Sequence, residues 1–285
     1  MRARIVLIFC CALASLAAAG CGGGSDPDGD GSDRIVAAFY PLAYAAERIA
    51  PRSTVENLTP AGTEPHDLEL GARDVEELRD ARLVLYLGQG FQPAVEDAVS
   101  RRGNAVDLLT GEQLRAGAGG SDPHVWLDPG RFAAIARRIA AALGTPAAAK
   151  PLVADLERLD GEFRRGLSSC RRHELVTSHA AFGYLADAYG LDQVALAGVT
   201  PEAEPGPRTL EKLVRTVESS GATTVFVEPL VPPELAETVA REAGARTAVL
   251  DPLEGLSPDR ADDGADYFSV MRDNLAALRD GLGCR

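Results

Sequence analysis

Three of the four histidines in this 285-residue chain stand at corners rather than inside regular segments. His124 sits in Asp122-Pro123-His124-Val125-Trp126-Leu127-Asp128-Pro129, between two Asp-Pro pairs and beside the only tryptophan. Each proline fixes its own φ and drives the preceding residue out of the α region, so the stretch reads as a stiff, extended loop that aims the imidazole. His66 follows Glu64-Pro65, and His179 follows Thr177-Ser178 at the end of an apolar run. Asp251 closes another apolar run and precedes Pro252. Three neutral imidazoles and one carboxylate form a suitable tetrahedral set for Zn²⁺. Mn²⁺, Mg²⁺ and Ca²⁺ prefer more oxygen. His173, between Arg172 and Glu174, lies outside any such corner and reads as a surface residue. No HExxH helix and no GxSxG elbow occurs, which speaks against a hydrolase of either kind.

The elements that must position these residues alternate. Strand-like runs are expected at Ile35 to Phe39, Thr54 to Leu58, Leu83 to Leu87, Ala105 to Leu108, Glu174 to Thr177, Val194 to Leu196, Thr223 to Val227 and Arg246 to Leu250. Amphipathic helical stretches separate most of them. This alternation predicts an α/β fold with parallel sheets covered by helices. In such sheets ligands bind outside the carboxyl ends of the strands, which is where His66, His124, His179 and Asp251 fall. Between Pro146 and Ser168, Leu152, Leu156, Leu159, Phe163 and Leu167 recur three and four apart, giving one apolar helix face. This long mid-chain helix is a candidate connector between two lobes: 34–145, then the helix at 146–169, then 170–285.

Residues 1–20 read as an export signal. Arg2 and Arg4 precede the apolar stretch Ile5 to Ala19, and small residues lead up to Cys21. Leu16-Ala17-Ala18-Ala19-Gly20-Cys21 resembles a bacterial lipoprotein cleavage box, which implies lipidation of Cys21 and tethering to a membrane surface without spanning it. Residues 21–33 are Gly/Ser/Asp-rich and read as a flexible tether. An extracytoplasmic, oxidising setting would allow Cys170 and Cys284 to pair. The net charge of −13 excludes the basic footprint that nucleic acid binding needs.

The chain resembles the zinc- and manganese-binding lipoproteins of ABC importers, the TroA-like or ZnuA-like solute-binding family. The resemblance rests on Phe39-Tyr40-Pro41-Leu42, Pro65-His66-Asp67-Leu68-Glu69, the Asp122 to Pro129 motif, Ser178-His179-Ala180-Ala181-Phe182-Gly183-Tyr184-Leu185, Phe226-Val227-Glu228-Pro229 and Asp251-Pro252-Leu253. It implies two lobes joined by one rigid helix and metal ligation by His66, His124, His179 and Asp251. It also implies a monomer that serves an ABC permease from outside the cytoplasmic membrane. A histidine at 179, where manganese-binding relatives carry a carboxylate, points to Zn²⁺ over Mn²⁺ as cargo. Glu64 competes with Asp251 or water for the fourth position. Glu228 is a candidate acceptor for the second N–H of a ligating imidazole.

One feature of the zinc-specific relatives is missing. They often carry a His- and Asp-rich loop before the second histidine motif, whereas Thr110 to Ser121 contains no histidine. Two readings compete with zinc capture: a zinc hydrolase, and a surface adhesin in which the metal is structural.

Overall fold

The computed structural model describes residues 33–117, 120–200 and 207–285. The expected signal segment, Cys21 and nearly all of the tether lie outside those residues.

The first half forms β1 (Arg34–Ala37), α1 (Tyr40–Ile49), β2 (Thr54–Asn57), α2 (Ala72–Asp80), β3 (Leu83–Tyr86), α3 (Pro93–Val99) and β4 (Ala105–Asp107). A two-strand hairpin follows, β5 (Ala116–Gly117) with β6 (Gly120–Ser121), and then α4 (Pro129–Ala142). The long α5 (Lys150–Leu167) leads to β7 (Glu174–Thr177), α6 (Gly183–Tyr189), β8 (Asp192–Ala195), α7 (Pro207–Ser220) and β9 (Thr224–Val227). The chain continues through α8 (Glu234–Glu242), β10 (Arg246–Val249), α9 (Pro258–Asp262) and α10 (Tyr267–Leu282).

Two four-stranded sheets result, each wholly parallel. Their orders are β2-β1-β3-β4 and, read from the equivalent edge, β8-β7-β9-β10. The first strand of each half is therefore central and the second lies outside it, so the two lobes share one plan. The central strands are apolar, as strands covered on both faces must be; Ile35, Val36, Val84, Leu85, Leu175 and Val176 are buried. In each sheet the order reverses beside the first strand, which opens a crevice at the carboxyl ends.

The expected connecting helix is divided. Pro146–Ala149 forms a 3₁₀ turn, and α5 proper begins at Lys150. The predicted apolar stripe of Leu152, Leu156, Leu159, Phe163 and Leu167 is buried. It packs against α4 on one side and α10 and α6 on the other, so α5 touches both lobes. Gly166 permits the close approach: a Cβ there would lie 2.9 Å from Leu275 of α10. Tyr44 of α1 stacks on Tyr267 of α10 and donates to Asp266 Oδ2 at 3.2 Å, joining the lobes again behind the sheets. One apolar core runs through both lobes, with a smaller one between α7, α8 and β9. Cys170 and Cys284 are disulfide-bonded and tie the end of α5 to the end of α10.

Candidate metal centre

Each histidine arrives on a connection at a sheet's carboxyl edge, and each is held by a local device. His66 follows β2. Pro65–Asp67 is a single 3₁₀ turn, and Glu64 caps it by accepting the His66 backbone N–H at 2.9 Å. His124 follows the β5–β6 hairpin. Asp122 Oδ1 accepts both its backbone N–H at 3.0 Å and its Nδ1–H at 2.8 Å. Tyr184 of the other lobe donates to the Asp122 carbonyl at 2.8 Å. The second Asp-Pro pair of the motif starts a helix: Asp128 accepts from Gly130 N at 2.8 Å and Pro129 opens α4. His179 follows β7. Glu228, just beyond β9, accepts its backbone N–H at 3.0 Å and its Nδ1–H at 2.5 Å. In both rings the proton on Nδ1 is fixed by a carboxylate, so the other nitrogen, Nε2, is the one presented to the cleft.

The fourth group is Glu254, three residues beyond the expected Asp251. Its Oε1 lies 3.0 Å from His124 Nε2, 3.3 Å from His179 Nε2 and 3.5 Å from His66 Nε2. His179 and His124 Nε2 are 3.4 Å apart. Around a Zn²⁺ with ligand bonds of about 2.0–2.1 Å, tetrahedral geometry places neighbouring ligand atoms roughly 3.3–3.4 Å apart. These four separations already have that size. The set is the one group of metal-ligating side chains that converges within 4.8 Å among the described residues.

Asp251 stands outside this set for a local reason. It ends β10 just before Pro252, and its Oδ1 accepts the Leu253 backbone N–H at 2.7 Å. Asp and Asn ahead of proline commonly close such turns on the N–H two residues on. The carboxylate is spent on the turn, Leu253 takes a left-handed φ of 54°, and Glu254 is thrown into the cleft. The turn chemistry of Asp251-Pro252 was the signal available in the sequence. Glu64 likewise serves as the cap of the His66 turn and does not join the four. Its Oε2 is buried without a hydrogen-bond partner. Glu228 sits where an acceptor for a ligating imidazole was expected. Asp122, which does the same for His124, was not recognised, although it opens the same motif. His173 is exposed on the amino-terminal side of β7.

The centre is buried and rich in opposing charge. His124 and His179 are fully buried and Glu254 is 1% exposed, while the His66 side chain is 3% exposed. Burial works to lower the His124 and His179 pKa values, but neighbouring carboxylates outweigh it. Asp122 and Glu254 raise His124, and Glu254 and Glu228 raise His179 well above the ordinary imidazole range. Burial alone would raise Glu254, yet the imidazoles hold it well below the usual carboxylate range. Burial and then the Glu254 charge push Glu64 up to about 9. Burial also pushes Asp251 up to about 6, its Leu253 hydrogen bond opposing. Phe91 packs edge-on against His66 at 4.7 Å between centroids, and Trp126 lies 5.1 Å from His124. These aromatic rings pack against the imidazoles. Without a cation the surrounding carboxylates favour the imidazolium forms of His124 and His179; with one, four donors can close round it.

Comparison with known proteins places this geometry among relatives. The chain is 31% identical to the high-affinity zinc uptake system protein ZnuA of Bacillus subtilis over 96% of its own length and 97% of that protein. It is 33% identical to the zinc-binding protein AdcA of Streptococcus pyogenes over 88% of its own length, spanning 56% of AdcA, a little over half of that relative. The crystal structure of the Zn(II)-bound ZnuA-like domain of Streptococcus pneumoniae AdcA superposes with a TM-score of 0.77 at 33% identity, covering 88% of this chain and 99% of that domain. The laminin-binding protein Lmb of Streptococcus agalactiae, described as bifunctional with adhesin and metal transporting activity, superposes with a TM-score of 0.79 at 27% identity. That alignment covers 87% of this chain and 99% of Lmb. The family model for ZnuA, the periplasmic component A of the zinc-uptake complex, matches residues 35–281, and the chain belongs to that family.

Proposed function

We propose that the protein captures Zn²⁺ between its two lobes and delivers it to an ABC-type importer in the adjacent membrane. The observation that carries the reading is the convergence of the His66, His124 and His179 Nε2 atoms with Glu254 Oε1, in which the three Glu254 edges and the His124–His179 edge, at 3.0–3.5 Å, are near those of a zinc tetrahedron. Four protein donors leave no open position for a reacting water, so this is a binding centre and not a hydrolytic one. One carboxylate against three imidazoles favours Zn²⁺ over Mn²⁺. The relatives bear zinc in their names, and that agrees with the donor set.

In this reading residues 34–145 and 170–285 are the two lobes and 146–169 the connection between them. Residues 1–20 direct export, Cys21 carries a lipid anchor, residues 21–33 are the tether, and the body works as a monomer outside the membrane. The test is metal competition. Chelator-stripped protein, checked to remain folded, is titrated with equal mixtures of Zn²⁺ and Mn²⁺, and bound metal is counted per chain. One Zn²⁺ per chain with Mn²⁺ excluded is expected. Preferential Mn²⁺ retention would reassign the cargo, and no stoichiometric metal would overturn the reading.

A further inference from the structure

Glu254 is the only one of the four donors whose backbone is not steadied by a carboxylate of its own loop or of the neighbouring strand. It hangs at the end of the turn Asp251-Pro252-Leu253, and Leu253 is buried in a left-handed conformation that a leucine adopts only under constraint. Three grips supply that constraint. Asn274, buried on α10, accepts the Asp251 backbone N–H at 2.8 Å through Oδ1 and donates to the Asp251 carbonyl at 2.7 Å through Nδ2. Asp251 Oδ1 accepts the Leu253 N–H at 2.7 Å. Trp126 donates its indole N–H to the Pro252 carbonyl at 2.8 Å. The last grip comes from the other lobe, two residues beyond His124.

Resting on the zinc-binding reading, we infer that Asn274 is a positioning residue for the metal centre: its two-point clamp on Asp251 holds the turn that delivers Glu254 to the three imidazoles. The clamp suits this work better than generic core packing would. A primary amide can satisfy one backbone donor and one backbone acceptor of the same residue at once, and that fixes both the position and the twist of the strand end. Leucine, of similar volume, would fill the space and supply neither bond. The Asp251 carboxylate continues the clamp by one further link, so Asp251 also acts through Glu254 and not on the metal.

The experiment is a double-mutant cycle on zinc affinity in the full chain, with Asn274→Ala, Glu254→Ala and the combination. Wild type and Glu254→Ala come first: if they bind Zn²⁺ equally, the proposed centre itself fails, whatever Asn274 does. If they differ, Asn274→Ala is expected to weaken Zn²⁺ binding roughly ten- to hundredfold, the range seen when groups that orient a ligand are removed. The combined variant should then bind no more weakly than Glu254→Ala alone, because Asn274 acts through a donor already gone. In the cobalt-substituted protein, Asn274→Ala should shift the visible d–d bands toward those of Glu254→Ala, a change that mere destabilisation would not produce. Asp251→Asn keeps an oxygen acceptor for Leu253 N–H and should hold wild-type affinity within a few-fold. Wild-type affinity in Asn274→Ala, multiplying losses in the combined variant, or a loss in Asp251→Asn as large as in Glu254→Ala would each overturn the inference. Should Asn274→Ala not fold, Asn274→Asp, which keeps the acceptor and loses the donor, runs through the same cycle and is judged by the same outcomes.

Discussion

Acidification should release zinc steeply, and from a higher pH than ordinary imidazoles would dictate. In the metal-free centre His124 and His179 have pKa values above the usual 6.5, because the carboxylates around them outweigh the opposing effect of burial. Their Nδ1 protons are held by Asp122 and Glu228 and stay in place when metal binds. The protons that must leave are those on Nε2, which face Glu254. Glu254 is already ionised and gives up none. Zinc therefore displaces at least two protons below the raised imidazole values, and log K rises with pH with a slope of about two, on the order of a hundredfold in affinity per pH unit. The sign for stability is the reverse in the metal-free form. Imidazolium–Glu254 pairing contributes fully below about 6.5, the unfolded histidine value, and is lost as pH rises through the higher folded values. The thermal shift conferred by zinc should accordingly grow with pH. Competition against a fluorescent chelator between about pH 5.5 and 8, a span around the ordinary imidazole value, measures the slope. Asp122→Asn supplies the control: it removes one partner that raises His124 and should move the onset of release to lower pH. A slope below one in the acid half of the range, or an onset indifferent to Asp122→Asn, would refute the assignment of the displaced protons.

Two further outcomes test the frame around the site. The Cys170–Cys284 bond closes a separation of 114 residues, and chain entropy for such a loop amounts to roughly 5 kcal/mol, so a Cys170→Ser/Cys284→Ser variant should unfold at clearly lower denaturant, by equilibrium denaturation; an unchanged midpoint would show that α10 is held by packing alone. Gly62, at φ 80°, donates its N–H to the Leu256 carbonyl at 2.9 Å, joining the loop that carries His66 to the loop that carries Glu254, and a Cβ there would meet Pro258 Cδ at 3.1 Å. Gly62→Ala should wedge this contact and speed zinc loss to excess chelator in stopped flow, and an unaltered rate would mean the contact does not bear on opening.

The histidines were legible because each sits where local chemistry is unusual: after a proline, or at the end of an apolar run ahead of a helix. Such signals survive without knowledge of packing, and so did the paired β-α plan that places the three imidazoles at sheet edges. Asp251, the expected fourth ligand, and Glu254, which joins the histidine cluster in its place, differ in a property that the spacing of acidic residues does not encode. One carboxylate is turned back on its own backbone and the other faces the three imidazoles. The turn preference of Asp-Pro contains that information, yet the outcome also depends on Leu253 accepting a left-handed φ in a turn gripped by Asn274, Trp126 and the Asp251 carboxylate. The hairpin of β5 and β6 has strands of two residues each, too short to leave a periodic trace. The break between the 3₁₀ turn at Pro146–Ala149 and α5 left none either, since the apolar stripe begins only at Leu152.

The two lobes contribute equally to the centre, so a movement of one lobe against the other would open a site that is otherwise buried. His66 and His124 come from the first lobe, His179 and Glu254 from the second. A tetrahedral site tolerates errors of only about 0.2 Å in ligand distance. A small rotation of one lobe against the other would therefore part donors of the first lobe from those of the second, without unfolding either lobe. The contacts that would resist rotation are unevenly placed. Behind the sheets, α5 packs on both lobes, and Tyr267 donates to the Trp126 carbonyl at 2.7 Å while the indole of Trp126 reaches Pro252. At the mouth, among the described residues, the backbone bond joining the two ligand-bearing loops is the single one from Gly62 to Leu256. Parting these two loops breaks that one backbone bond, while Tyr184 of the second lobe still holds the Asp122 carbonyl beside His124. This separates the His66 loop from Glu254 first, while His124 stays beside the turn to which Trp126 binds it. The order of ligand loss on release should follow that geometry, with the His66–Glu254 edge opening before the His124–Glu254 edge.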